Sequence, residues 1–288
     1  MTNNTLTVVM PVYNTSIYLR DSIKSILNQR GIDFNFLILD DGSEEKIEKI
    51  ISELNDNKIT FVKLNRVGLI STLNEGLRLC NSKYFALLDS DDIAPEDRLV
   101  KQLGFLENNP SIGLVGTSIK YIADGINYSR WAVKMPSDHF AILKGLHEGK
   151  YVLVHSTIML RTAVLKKING YREESYPVPD TDLFIRMSKL SNLANISDIY
   201  SLVRLHEDSM TAKNLMSIIE KNHFIIRKKE MSKLNIYKNY FALMNYRKGI
   251  ISYLKRNYVN AFLYFLFSFL FAPQRSIYYL KNKYKLIL

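Results

Sequence analysis

Tyr84-Phe85-Ala86-Leu87-Leu88-Asp89-Ser90-Asp91-Asp92 is the stretch on which the fold turns: five apolar residues run directly into three carboxylates. A short apolar run bounded by a turn is the pattern of a strand covered on both faces, as in a parallel sheet. The preceding chain repeats the pattern. Leu6 to Val12, Phe34 to Leu39 and Ile59 to Leu64 read as strands. Between them, Ile17 to Leu27, Glu44 to Leu54 and Ser71 to Cys80 read as amphipathic helices, with Ser43 as N-cap of the second. This βαβ series predicts a Rossmann-like α/β fold, a mostly parallel central sheet with flanking helices. Ligands of such a sheet sit beyond the carboxyl ends of its strands. Three polar clusters therefore converge on one rim: Pro11-Val12-Tyr13-Asn14, Asp40-Asp41-Gly42-Ser43 and Asp89-Ser90-Asp91-Asp92.

The chain has 288 residues, 47% of them apolar and 23% charged, which excludes a mostly disordered protein. A single cysteine, Cys80, excludes a disulfide scaffold and a multi-cysteine metal site. Met1-Thr2-Asn3-Asn4 opens without the basic flank and apolar core of an export signal, so a cytoplasmic location is expected. The net charge of +11 is uneven: from Ile225 to Leu288 there are 13 Lys and Arg against the single acid Glu230, and the preceding 224 residues net −1. The basic character belongs to the tail.

Three carboxylates in one tight loop repel and raise one another's pKa unless a cation is present. Oxygen ligands of this kind suit Mg2+ or Mn2+. The plain alternative is a solvated turn, or an N-cap for a helix near Glu96. In the second cluster Ser43 can cap a helix, which leaves one aspartate without a capping role at the rim where a nucleotide base would bind. Tyr151 to Leu160 reads as a buried strand followed by a short helix.

In their order and spacing, these clusters, with Gly68 through Asn74 to Gly76, resemble family-2 glycosyltransferases of the GT-A fold. The resemblance covers about residues 5 to 210. It implies that Asp41 hydrogen-bonds the base while Tyr13, Asn14 and the Pro11 backbone frame it. It further implies that Asp89 holds ribose or metal, that Asp91 coordinates the ion bridging the diphosphate, and that Asp92 assists. Gly170-Tyr171-Arg172-Glu173-Glu174 and Pro179-Asp180-Thr181-Asp182 are similar to the acceptor-side segment, so Asp180 matches the catalytic base and Asp182 falls on the acceptor side. Asp180 also reads as the N-cap of a helix from Thr181 to Leu190. Arg204-Leu205-His206 is similar to the closing motif whose His faces diphosphate or metal. His155 lines the acceptor pocket on this reading, or else packs in the core. Two positions depart from the pattern: Pro179 stands where a Glu is usual, and Leu73 stands where many relatives carry a base, leaving Arg66 as the candidate phosphate contact.

The expected chemistry is metal-dependent transfer from a nucleotide sugar, UDP-linked in preference, to a glycan hydroxyl. Asp180 acts as base, and with no enzyme nucleophile the displacement inverts the anomeric carbon. The expected organisation is a GT-A domain over 1–213, with a nucleotide-sugar half to about 110 and an acceptor half beyond it, followed by a helical, basic, aromatic-rich extension over 214–288. Within that extension Tyr258 to Ala272 is apolar for 15 residues, short of the about 20 a spanning helix needs. Lys255, Arg256, Arg275, Lys281, Lys283 and Lys285 flank it with Tyr264, Tyr278 and Tyr279, the composition of an interfacial membrane segment. Peripheral contact with the inner face of the cell membrane, and a polyprenyl-diphosphate-linked acceptor of bacterial polysaccharide assembly, follow as expectations. The alternatives for this helix are burial against the catalytic domain or a homodimer partner. Two other functions compete. A nucleotidyltransferase would need a glycine-rich phosphate loop after the first strand, which is absent. A nucleic-acid binding protein would explain the basic tail but not the acidic rim, so no nucleic-acid partner is expected.

Overall fold

Leu6, Val8, Val9, Met10 and Val12 are all buried, so both faces of the first strand are covered. In a computed structural model of the chain, residues 5–44, 46–122, 132–206, 256–271 and 273 are described, with 222, 225–226 and 245–246. The strands are β1 (Leu6–Val12), β2 (Asn35–Asp40), β3 (Ile59–Lys63), β4 (Tyr84–Leu87), β5 (Ile112–Ile122), β6 (Ala132–Val133), β7 (Met159–Arg161) and β8 (Asn192–Arg204). The helices are α1 (Ser16–Leu27), α2 (Ile47–Leu54), α3 (Leu69–Leu79), α4 (Arg98–Asn108), α5 (His139–Glu148), α6 (Thr162–Lys167), α7 (Pro179–Ser188) and α8 (Tyr258–Phe271). The strands form one sheet in the order β3-β2-β1-β4-β7-β5-β6, with β8 also paired to β5.

The β3-β2-β1-β4 half is wholly parallel, and β7 enters antiparallel between β4 and β5. Val12 lies opposite Asp40, which brings the first two polar clusters side by side, and β4 delivers the third next to them. Pro11 would remove a ladder donor from a central strand. It is tolerated because the β1–β4 pairing ends at Val9 opposite Leu87, two residues earlier. Helix α3 packs hard on the sheet: a Cβ at Gly76 would come within 2.8 Å of Val9 Cγ1.

Several predicted boundaries move. Helix α2 begins at Ile47, with Lys46 as N-cap, because Ser43 is engaged elsewhere, in a hydrogen bond to the Asn14 N–H. Helix α3 begins two residues before Ser71. Tyr151 to Leu160 is not one strand: a 3-10 turn at His155–Thr157 interrupts it, with the Thr157 hydroxyl donating to Val154 O, and only Met159–Arg161 pairs. Helix α7 starts at Pro179 with Val178 as N-cap, so Asp180 lies inside its first turn and does not cap it. A proline at the first helical position lacks only an N–H that would have no intrahelical partner there.

The chain divides into a larger unit, residues 1–143 and 151–207, and a smaller one, residues 144–150 and 208–288. The larger holds the sheet and the polar rim. In the smaller, α8 is apolar almost throughout, with Tyr246 and Phe265 in ring contact at 5.4 Å. No helix among the described residues is long and apolar enough to cross a membrane. Trp131, His223, most of Asn214 to Lys255, and the flank formed by Lys255, Arg275, Tyr278, Tyr279, Lys281, Lys283 and Lys285 lie outside the described residues.

Candidate active site

The turn after β2 organises the rim. Asp40 and Asp41 are both buried. Asp40 Oδ1 accepts the Ser43 N–H at 3.0 Å, and Ser43 Oγ accepts the Asn14 N–H at 3.1 Å. Asn14 Oδ1 in turn accepts the Glu44 N–H. The Asp41 carboxylate takes the Val67 N–H at 2.6 Å and the Gly68 N–H at 2.9 Å, fixing the loop after β3. Gly42 is required here twice over: its φ is +70°, and a Cβ would come within 2.9 Å of Arg66 N. The loops after β1, β2 and β3, carrying Tyr13, Asn14, Asp41 and Arg66, are therefore held as one piece. Arg66 stacks over the Tyr13 ring with its guanidinium carbon 3.4 Å from the centroid. Leu73 is fully buried on α3.

The acidic loop after β4 lies beside them, tied to the start of α1 by a 2.7 Å contact between the Ser90 and Thr15 hydroxyls. Asp89, Asp91 and Asp92 each offer a carboxylate oxygen, all within 4.8 Å of one another. These hard oxygen donors fit a divalent cation. Burial first, then the charges of Asp92 and Asp91, push Asp89 well above the usual carboxylate range. Burial and Asp91 push Asp92 up to about 7. Beneath the loop lies Arg98, fully buried, donating to Leu87 O at 2.6 Å and to Gln102 Oε1 at 3.0 Å. Burial lowers its pKa to about 10, and the attraction of Asp92 and Asp89 opposes that fall.

The three aspartates differ in what they can do. Asp92 accepts the Ser156 hydroxyl at 2.5 Å on Oδ2 and the Arg204 N–H at 2.9 Å on Oδ1, so both its oxygens join β8 and the 3-10 turn to the acidic loop. Asp91 Oδ2 meets His206 Nε2 at 2.9 Å, and Arg204 Nε donates to Asp91 O. Tyr18 packs between the two closing side chains, 4.8 Å from the His206 ring and 4.5 Å from the Arg204 guanidinium. No hydrogen bond reaches the Asp89 carboxylate among the described residues.

Asp180 stands in the first turn of α7, where the helix dipole favours a carboxylate. Burial is the main cause of the upward shifts of Asp89 and Tyr171, and the Asp180 charge adds to both, so Asp180 lies within electrostatic reach of the acidic loop. His155 Nε2 pairs with Tyr171 Oη at 3.0 Å, and burial draws its pKa down to about 4, which keeps the imidazole neutral. Asp182, expected on the acceptor side, is instead 1% exposed between Arg172 and Arg186, with Arg186 Nε at 2.7 Å. An ion pair this enclosed leaves no carboxylate oxygen for an acceptor; its role is to hold α7 to the Ile168–Gly170 backbone, whose carbonyls Arg186 also binds. Sequence reasoning did not single out Ser156 or Arg98, and it placed Tyr171 in a motif without a role. Asn74 was placed in a motif without a role; its side chain clamps both the N–H and the carbonyl of Tyr171, each at 2.9 Å.

Residues 7–169 match the family model for glycosyl transferase family 2, and the chain belongs to that family. It is 36% identical over 186 residues to an uncharacterised glycosyltransferase of Methanocaldococcus jannaschii, covering 63% of each chain. It is 25% identical over 250 residues to chondroitin synthase of Escherichia coli, covering 83% of this chain and 34% of that one. The chain thus spans about a third to two-thirds of the length of these curated relatives. Its fold is that of S. aureus TarS 1–349 in complex with UDP-GlcNAc, at TM-score 0.61 and 16% identity over 89% of both chains. It also matches the mannosyltransferase PcManGT of Pyrobaculum calidifontis in complex with GDP-Man and Mn2+, at TM-score 0.62 and 13% identity over 92% of this chain and 75% of that one. The fold is therefore GT-A.

A pH dependence follows from the acidic loop. Asp92 titrates near 7 when folded and metal-free, against an ordinary 3.8, so the native state holds its proton more tightly than the unfolded chain. Native stability then falls as pH rises from about 4 to about 7. Thermal denaturation of metal-free protein should show Tm declining across that interval. Asp92→Asn, which can keep both hydrogen bonds if the Ser156 hydroxyl turns to accept, should flatten the decline; an equally steep profile in the variant would refute the assignment.

Proposed function

We propose that the chain is an inverting glycosyltransferase that moves a hexosyl or N-acetylhexosaminyl group from a nucleotide sugar, UDP-linked in preference, to a hydroxyl of a glycan. The observation that supports this reading is that Asp41 and the Asp89-Asp91-Asp92 group follow β2 and β4, the two parallel neighbours of β1, with the Asp180 charge within reach of Asp89. Asp41 Oδ2 keeps lone-pair capacity beyond the Gly68 N–H and would accept the imide N–H of a uracil. The nucleotide-sugar complexes of TarS and PcManGT support a donor of this class, and the Mn2+ of the latter supports a divalent ion.

Mn2+ or Mg2+ held by Asp91 with Asp89 and His206 would supply Lewis-acid stabilisation of the departing diphosphate. Asp92 contributes by holding the ends of β4 and β8 together. Asp180 takes the proton of the acceptor hydroxyl, its position set by α7 and by the Asp182–Arg186 anchor that starts in the same turn. The neutral His155, with Tyr171 on its Nε2, suits an uncharged sugar hydroxyl. With one base and no enzyme nucleophile, the reaction is a single displacement with inversion.

The acceptor in this reading is lipid-linked, and the chain works at the inner face of the cell membrane as a 1–213 catalytic domain with a 214–288 extension. Phe262 and Leu270 on α8 are each 66% exposed, and Val259, Leu266 and Phe267 are exposed as well. An apolar helix of 14 residues reaches about 21 Å. In a tail of net charge +12, that suits lying in an anionic interface.

Two measurements test the proposal. UDP release from a panel of UDP-sugars should require Mn2+ or Mg2+, and Asp180→Asn should lower turnover by about 10² to 10⁴ while UDP affinity stays within about twofold; wild-type turnover in the variant would contradict the base assignment. The full chain should float with vesicles containing anionic phospholipid and less with neutral ones, and the pair Phe262→Ser and Leu270→Ser should release it. Equal partitioning of wild type and variant would contradict the membrane role.

A further inference from the structure

Tyr18 carries no assigned role, yet it touches both side chains that close on the acidic loop. It sits in the first turn of α1, where its N–H meets Thr15 O at 3.2 Å, and Thr15 is tied to Ser90 by the 2.7 Å hydroxyl contact. The backbone beneath the ring is therefore linked to the residue that precedes Asp91. From there the ring lies 4.8 Å from the His206 ring, tilted by 53°, and 4.5 Å from the Arg204 guanidinium carbon. Both of those side chains bond Asp91: Arg204 Nε donates to the backbone carbonyl, and His206 Nε2 meets Oδ2. A histidine that serves a metal ion is as a rule held by a hydrogen bond on its second ring nitrogen, which fixes the orientation of the ring. Among the described residues His206 has no such bond, its one hydrogen bond being that to Asp91. It also stands two residues past the end of β8, close to the end of the larger unit. The neighbouring Leu205 N–H donates to Ile122 O at 2.8 Å, which holds the backbone but does not set the rotation of the imidazole.

We infer that Tyr18 is a positioning residue, its ring taking the place of the missing second hydrogen bond and keeping His206 Nε2 turned to the acidic loop. This rests on the metal-dependent reading above, and in it Tyr18 acts through His206 and not on the substrate. The ring suits the task for two reasons. Aromatic pairs favour tilted, offset contacts over free rotation, and the electron-rich face of Tyr18 attracts the Arg204 guanidinium, which holds the segment leading to His206. Leucine would keep apolar bulk and a good helix former on α1 but has neither the plane nor the negative face.

Mn2+ affinity of the full chain, compared among wild type, Tyr18→Phe, Tyr18→Leu, His206→Ala and the double variant Tyr18→Leu with His206→Ala, tests the inference without turnover. Losing the outer partner of a metal-bound histidine costs about 10- to 100-fold in affinity. Tyr18→Leu should therefore weaken Mn2+ about tenfold or more, while Tyr18→Phe, which keeps the ring, stays within about twofold of wild type. Added to His206→Ala, Tyr18→Leu should cost no more than about a further twofold, because the two residues act as one unit. Metal-free uridine affinity should be the same in all five proteins, which separates a lost ligand orientation from a damaged fold. Wild-type Mn2+ affinity in Tyr18→Leu would overturn the inference. So would an equal loss in Tyr18→Phe, a full loss on top of His206→Ala, or a parallel fall in uridine affinity. If wild type itself binds no Mn2+, the metal reading fails and the inference with it, a result distinct from any of these because it precedes the variants.

Discussion

Three partly buried carboxylates whose oxygens lie within 4.8 Å of one another cannot all stay charged without a counter-charge, and much of the surrounding structure answers that constraint. Arg98 supplies one fixed positive charge from below. It is buried at a cost that a purely structural position would avoid with an apolar residue. Asp92 is shared between the Ser156 hydroxyl and the Arg204 amide, which removes it from competition for a cation. What remains, Asp89 and Asp91 with His206, is an oxygen-rich set open to a hard ion. Family membership and the GT-A fold are consistent with that chemistry.

The rest of the rim is joined by polar side chains that reach across the sequence. Asp41 and Ser43 unite the loops after β1, β2 and β3, and Arg204 with His206 brings the end of β8 onto the acidic loop. Asn74 and Arg186 both grip the Gly170–Tyr171 backbone, the first through the N–H and carbonyl of Tyr171 and the second through the carbonyl of Gly170. None of these contacts is large alone, since a hydrogen bond nets about 1 kcal/mol. Their value is positional: each removes freedom from a loop that would otherwise move independently of the others.

The parallel half of the sheet was legible because buried strands leave an unmistakable apolar run, and the topological rule then placed Asp41 and Asp89 on one rim. What escaped the sequence were side chains whose partners are distant. Ser43 has the composition of an N-cap, but the competing Asn14 amide comes from 29 residues away. Asp182 and Asp180 sit two positions apart in one helical turn and differ in the face they present; the two arginines that claim Asp182 are what tell them apart. The Tyr151 to Leu160 run failed as a single strand because the Ser156 and Thr157 hydroxyls bond locally and to Asp92 in place of the ladder. Hydrophobic periodicity carries no information about such pairings.

The central claim is that the Asp89-Asp91-Asp92 loop exists to hold one divalent cation. Electron paramagnetic resonance of free Mn2+, titrated with the full chain at neutral pH, tests it most directly. The account predicts that the free-ion signal falls with a stoichiometry of one ion per chain, more tightly when UDP is present, and that Asp91→Asn abolishes the effect. A free-ion signal unchanged by the wild-type protein, with and without UDP, would contradict it.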